Sequence, residues 1–90
     1  MSLNRLMPLA SIPARARDAE RRARATYSTR NDALKAARWA IVDGEGCYSS
    51  SEDRTTWGYV LTLDAAKSMC DVRANPPGGA THAPYSYEPR

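Results

Sequence analysis

A cluster of arginines in the first third of the chain is the strongest chemical signal in the sequence. Between Pro13 and Arg30, eighteen residues hold six arginines against two acids, Asp18 and Glu20. The guanidinium group is planar and always charged, and its fork of N–H donors matches the oxygens of phosphate and carboxylate groups. The sequence therefore predicts an anion-binding surface made by Arg15, Arg17, Arg21, Arg22, Arg24 and Arg30.

Residues with the types and spacing of a catalytic or metal site are not recognisable in the sequence. His82 is the one histidine, which argues against a His-based triad and a His-rich metal site. Cys47 and Cys70 belong to different predicted elements and are interpreted as reduced thiols, although a disulfide between them stays open. No glycine-rich phosphate loop is present. We predict a protein that is not an enzyme and that uses no cofactor and no metal.

The arginines are predicted to lie on a helix that begins near Pro13, a residue that suits a first helical turn. Apolar residues at spacings of three and four define its inner stripe, and Arg17, Arg21 and Arg24 project from the opposite side. The pairs Asp18–Arg22 and Glu20–Arg24 have the i,i+4 spacing that supports an exposed helix by a few tenths of a kcal/mol. A merely solvated face is therefore the alternative to a binding face. The stripe consists of Ile12, Ala16, Ala19, Ala23 and Tyr27.

The distribution of charge favours the binding interpretation. Residues 1–40 carry nine basic side chains and three acids, a net charge of +6, whereas residues 41–90 carry four basic and seven acidic side chains, a net charge of −3. A basic half indicates an anionic partner, either phosphate groups or an acidic protein surface.

The remaining pattern predicts an α+β fold in the order helix, helix, strand, strand, helix. The second helix is predicted over residues 32–42, capped by Thr29 or Asn31 and stopped at Asp43-Gly44. An antiparallel hairpin of residues 46–50 and 55–62 should follow, with Trp57 directed into the core. A third strand is expected from residues 2–7 or from a second copy of the chain. The last helix is predicted over residues 63–74, capped by Thr62 or Asp64.

The composition divides the chain into three parts. Residues 1–11 form an apolar arm whose leucines and Met7 should contact the core, residues 12–74 form the folded domain, and residues 75–90 form a flexible tail rich in proline and glycine. Trp39 is either a stacking platform or a core residue, and the scarcity of large apolar side chains favours the core. No stretch is long and apolar enough for a membrane span.

In its size, its α+β pattern and its lack of catalytic residues, the chain resembles the small accessory proteins of bacteriophages, including anti-CRISPR proteins. The resemblance concerns general character and transfers no functional residue. It implies a non-catalytic inhibitor that docks its arginine-rich helix on a nucleic-acid-handling host complex, in the cytoplasm of a bacterial host if the protein is phage-encoded. The partner would be an acidic or nucleic-acid-containing protein complex. Alternatives are direct binding of DNA or RNA backbones, or a small cytosolic adaptor, and a homo-oligomer is possible.

Overall fold

A central strand with an antiparallel neighbour on each side organises the fold. The computed structural model describes residues 5–44, 55–71 and 85–90. A short 3₁₀ turn, Leu9–Ser11, is followed by α1 (Ala14–Ala25), α2 (Arg30–Ala36), β1 (Trp39–Asp43), β2 (Thr56–Val60), α3 (Leu63–Cys70) and β3 (Tyr85–Pro89). The sheet has the order β2-β1-β3. The predicted α+β class is confirmed, with a final strand added to the predicted order.

Local sequence sets the beginnings of the helices. Pro13 immediately precedes α1. The hydroxyl of Thr29 accepts a hydrogen bond from the backbone N–H of Asp32 at the start of α2, and the hydroxyl of Thr62 accepts one from Ala65 at the start of α3. Both threonines are therefore N-caps that satisfy a backbone donor of the first turn.

The prediction of one helix over residues 32–42 is wrong, because α2 ends at Ala36 and the chain then enters β1. The segment from Trp39 to Val42 is aromatic and β-branched, which suits a strand. As the middle strand it buries Ile41 and Val42 almost completely. The gain from burial between two neighbouring strands overrides the weak helical periodicity of this short run.

The prediction of a flexible tail is wrong for the last residues of the chain. The strand β3 pairs with β1 from Trp39↔Pro89 to Asp43↔Tyr85. Tyr85 packs against the main core, and Tyr87 makes an edge-to-face contact with Trp39 at 5.6 Å between ring centroids. The two tyrosines thus supply the apolar anchors that the rest of the tail sequence lacks.

Pro89 is compatible with β3 because its backbone nitrogen does not face the neighbouring strand. The N–H of Arg90 donates to the carbonyl of Arg38 at 2.8 Å, so the backbone nitrogen of the preceding residue, Pro89, faces away from β1. The missing N–H therefore falls on the side of β3 that faces away from β1, which is an edge of the sheet among the described strands, and proline is tolerated at such an edge.

The arm lies against the other edge of the sheet. Tyr59 donates its N–H to the carbonyl of Arg5, and Met7 donates to the carbonyl of Tyr59, both at 2.9 Å. A Cβ on Gly58 would come within 2.7 Å of the Met7 sulfur, so this close approach requires glycine there. Leu6 and Met7 are buried, as expected for the arm.

Two apolar clusters hold the elements together. The smaller cluster joins the arm to α2 through Leu6, Ala33 and Ala37, with Leu34, Tyr59 and Leu61 packed against it. The main cluster lies between α1, α3 and the sheet, and its buried members are Met7, Ile12, Ala16, Ile41, Val60, Ala65, Ala66 and Met69.

The prediction that Trp57 is a core residue is wrong. The register between β1 and β2 shifts at this point. Ile41 pairs with Gly58 and Val42 pairs with Thr56, which leaves Trp57 as the extra residue of a β-bulge. A bulge redirects a side chain, and Trp57 is 38% exposed with its indole N–H donating to Asp43 Oδ1 at 2.6 Å. The predicted strand over 46–50, the turn over 51–54, Cys47, His82 and the tail over 75–84 lie outside the described residues.

Candidate anion-binding site

Three of the six predicted arginines meet at one pocket. Arg21, Arg24 and Arg30 line a concavity of about 450 Å³ where the end of α1, the start of α2 and the arm converge. We call it the α1–α2 pocket. Its lining is apolar on one part and hydroxyl-bearing on another, and it is completed by Leu6, Leu9, Ala25, Tyr27, Ser28, Thr29 and Ala33.

A second basic pocket adjoins the first. It has a volume of about 530 Å³, lies between the end of α2 and the nearby ends of β1 and β3, and brings the cations Lys35, Arg38 and Arg90 beside Trp39. Tyr27 lines both pockets, so the two share this side chain in their walls. We call their six cations the basic surface, and the described residues that line it include no acidic side chain. The six are Arg21, Arg24, Arg30, Lys35, Arg38 and Arg90.

Half of the basic surface is free to contact a ligand. Arg30, Lys35 and Arg38 are exposed, and within the described parts of the chain their side chains make no hydrogen bond or ion pair. Arg21 is exposed as well but contacts Asp18 at 2.8 Å. The guanidinium of Arg90 donates to the carbonyl of Leu34 and lies 4.3 Å above the Tyr59 ring, which fixes its position at the pocket edge.

Arg24 differs from the others because it takes part in a buried network. Its Nε donates to Glu20 Oε2 at 2.8 Å, and the Glu20 side chain is entirely buried. The same carboxylate accepts from the backbone N–H groups of Leu61 and Thr62 and from the Thr62 hydroxyl, at 2.9–3.2 Å. The interpretation of Glu20–Arg24 as an exposed pair is therefore wrong: this contact connects α1 to the start of α3.

The three remaining predicted arginines do not line either pocket. Arg17 is half-buried and donates to the carbonyls of Leu9 and Ile12 at 3.0–3.2 Å, so it holds the 3₁₀ turn against α1. Arg15 contacts Ser68 and forms an ion pair with Asp71 at 2.7 Å. Arg22 is exposed, with a contact of 3.4 Å to the carbonyl of Asp18. The prediction that Arg17, Arg21 and Arg24 share one exposed face is wrong for Arg17 and Arg24.

Sequence reasoning missed half of the basic surface. Lys35 and Arg38 fall within the second predicted helix and Arg90 falls within the predicted tail, so none of the three belongs to the predicted arginine cluster. The signal that could have found them is the proximity of Trp39 to two cations, since an aromatic ring among basic residues is typical of nucleic-acid surfaces. Trp39 is half-buried, and Tyr27 is 39% exposed.

Cys70 is the cysteine that the structure describes, and its thiol is partly buried. Burial raises the pKa of the Cys70 thiol to about 11, so this cysteine stays protonated at neutral pH and is a poor nucleophile. Within residues 5–44, 55–71 and 85–90, no group of three histidine, cysteine or acidic residues is placed to hold a metal ion. The same ranges contain no helix with the length and apolar character needed to cross a membrane.

Comparison of the chain with protein-family models, with curated proteins and with solved structures finds no match.

Proposed function

We propose that this protein is a non-catalytic binding protein that docks its basic surface on a nucleic-acid-handling complex and thereby inhibits it. The observation that supports the proposal is the convergence of six cations and two aromatic rings on two adjoining pockets without an acidic side chain in the described lining. Arginine-rich concave surfaces match the phosphate and carboxylate groups that such complexes expose.

The charge of the rest of the chain supports a mixed partner. The C-terminal half has a net charge of −3, which disfavours close approach to bare nucleic acid over the whole molecule. A complex of protein and nucleic acid offers patches of both signs, so it can accommodate both the basic surface and the acidic side chains of residues 41–90.

Direct binding of nucleic acid is the second candidate, and a specific observation favours it. Tyr27 and Trp39 lie in the same pockets as Arg30, Lys35 and Arg38. Bases stack on aromatic rings while neighbouring cations contact the phosphates, and this combination binds single strands without reading their sequence.

The test compares two variants of equal charge. The basic-surface variant replaces Arg30, Lys35 and Arg38 with Gln, and the control variant replaces Arg15, Arg22 and Lys67 with Gln; the latter three are exposed and line neither pocket. Immobilised protein is used to capture complexes from a bacterial lysate with and without nuclease. We expect nuclease-resistant capture of a nucleic-acid-handling complex by the wild type and the control, and at least tenfold weaker capture by the basic-surface variant. Addition of the wild type should lower the activity of the captured complex.

Three results would separate the alternatives. Capture that nuclease abolishes would replace docking on a complex with direct nucleic-acid binding. Equal capture by the two variants would reject the basic surface as the docking site. A captured complex that keeps its full activity would reject inhibition. Thermal unfolding of both variants near the wild-type temperature is required. It is expected because all six positions are exposed and because the Arg15–Asp71 pair that the control loses is partly exposed, which limits its contribution to about 0–1 kcal/mol.

A further inference from the structure

We propose that the α1–α2 pocket binds one nucleoside 5′-phosphate unit, with the base against the apolar part of the pocket and the phosphate at Arg21 and Arg30. The unit can come from a free nucleotide or from a single strand, since both present a flat base beside a phosphate. This inference rests on the proposed function, because it names the group that part of the basic surface recognises.

The apolar part of the pocket fits a base rather than a bare anion. Leu6 and Ala33 are buried at its base, Leu9 is half-buried, and Ala25 is exposed at the end of α1. A simple phosphate site needs no apolar wall, whereas the faces of a nucleobase are apolar and are bound by side chains of this kind. The exposed ring of Tyr27 provides a surface for stacking.

Two of the lining cations have N–H donors available for a phosphate. Arg30 has no partner within the described residues, and Arg21 uses only Nη1 to contact Asp18. Each guanidinium carries five N–H donors, so most donors of both groups remain for a ligand. Beneath them, the Nη2 atom of Arg24 is buried and has no hydrogen-bond partner in the described part of the chain.

The volume of the pocket also fits a small ligand. About 450 Å³ falls within the range of roughly 300–1,000 Å³ that is typical of small-molecule sites. The hydroxyls of Ser28 and Thr29 complete the lining. Thr29 accepts a hydrogen bond from Asp32, which leaves its own O–H as a donor for a ribose or phosphate oxygen.

The experiment uses the full chain and four probes: adenosine 5′-monophosphate, adenosine, inorganic phosphate and a single-stranded oligoadenylate. Binding is measured by calorimetry, and the site is located from NMR shifts of the backbone amides of residues 25–33. We expect the monophosphate to bind at least tenfold more tightly than adenosine or phosphate alone, and to displace the oligonucleotide. Tighter binding of the oligonucleotide would identify a strand as the natural source, and equal binding would identify the free nucleotide.

Two pairs of variants separate the pocket from general electrostatics. Ala25→Leu fills the pocket without a change of charge, and Ala14→Leu is its control, because Ala14 is an exposed residue of the same helix outside the pocket. Arg30→Gln removes a lining cation, and Arg22→Gln removes one outside it. We expect Ala25→Leu and Arg30→Gln each to weaken monophosphate binding at least tenfold, while the two controls leave it unchanged.

The inference fails if the monophosphate binds no better than inorganic phosphate, or if Ala25→Leu and Ala14→Leu bind it equally. The proposed function can survive that failure, because capture of the complex depends on the whole basic surface and is measured with Arg30, Lys35 and Arg38 replaced together. Conversely, if the wild type captures no complex but binds the monophosphate, the proposed function is rejected and the nucleotide site in the α1–α2 pocket is retained.

Discussion

Glu20 is the charged residue that is fully buried among the residues that the structure describes. Its carboxylate is fully buried and accepts hydrogen bonds from Arg24, from two backbone N–H groups at the start of α3 and from the Thr62 hydroxyl. Such a group is stable only with all of these partners, and removing one member leaves the others unsatisfied.

We expect Glu20→Ala to lower the free energy of unfolding by roughly 3–5 kcal/mol, since it leaves the Arg24 charge and two backbone donors buried without a partner. Chemical denaturation followed by circular dichroism measures the change. Asp18→Ala is the matched control: it removes an exposed acid from the same helix that pairs only at the surface, and it should leave stability almost unchanged. Equal stability of the two variants would show that the buried network contributes nothing.

At the scale of single residues, the sequence predicts features that depend on neighbouring residues, such as helix caps, but not contacts between distant parts of the chain. Residue type and position narrow each cap to two candidates, and the structure has Thr29 rather than Asn31 and Thr62 rather than Asp64. Glu20 and Arg24 have the spacing of an exposed helical pair, and their burial is decided by backbone donors 41 and 42 residues further along the chain. The exposure of Trp57 likewise depends on a register shift between two strands, which is not visible in either strand by itself.

At the scale of elements, the sheet is where the prediction from sequence was least complete. The run from Trp39 to Asp43 reads as the end of a helix until it is seen between two strands, and its second neighbour lies at the far end of the chain. In the segment Tyr85–Pro89, aromatic and polar residues alternate as they do in a strand. The segment is only five residues long and follows a stretch rich in proline and glycine, so by itself it indicates a flexible tail. The pairing of β1 with β3 joins residues more than forty positions apart in the sequence, and no local pattern indicates such a pairing.

Removal of β3 tests this arrangement. A chain ending at residue 84 should lose several kcal/mol of stability, because β1 loses one of its two neighbours and the core loses Tyr85, which is a large part of the stability of a small domain. Pro89→Ala in the full chain is the control and should unfold at nearly the wild-type temperature, since the nitrogen of this residue faces away from β1. A truncated chain that melts like the full one would restore the interpretation of residues 85–90 as a dispensable tail.

At the scale of the whole molecule, the basic surface depends on the fold more than on the arginine-rich helix α1. Only three of the six arginines predicted from the cluster line it, and the other three support contacts within the fold. Its second half consists of Lys35 at the end of α2, Arg38 between α2 and β1, and Arg90 directly after β3. The sequence predicts the sign of the charge and its concentration in the first half of the chain. The second basic pocket, however, forms only because β3 brings Pro89 and Arg90 back beside the end of α2.

This distribution of charge predicts how binding should respond to salt. Cations that neutralise phosphates release counterions, and for single strands the logarithm of the affinity falls with the logarithm of salt concentration by about 0.7 per phosphate. Arg30, Lys35 and Arg38 are the three members of the basic surface without a partner in the described residues. We therefore expect a slope of roughly −2 for a single-stranded oligonucleotide, measured by fluorescence anisotropy between low and physiological salt.

The same pair of charge-matched variants decides whether position or total charge causes the slope. Each triple substitution to Gln lowers the net charge of the chain equally, from +3 to zero. If phosphates contact the basic surface, the slope should approach zero when Arg30, Lys35 and Arg38 are replaced, and it should stay near −2 when Arg15, Arg22 and Lys67 are replaced, because those side chains lie outside both pockets. An equal loss of slope in the two variants would mean that the net charge of the molecule attracts the nucleic acid from every side, and that the pockets on either side of Tyr27 do not form a binding site.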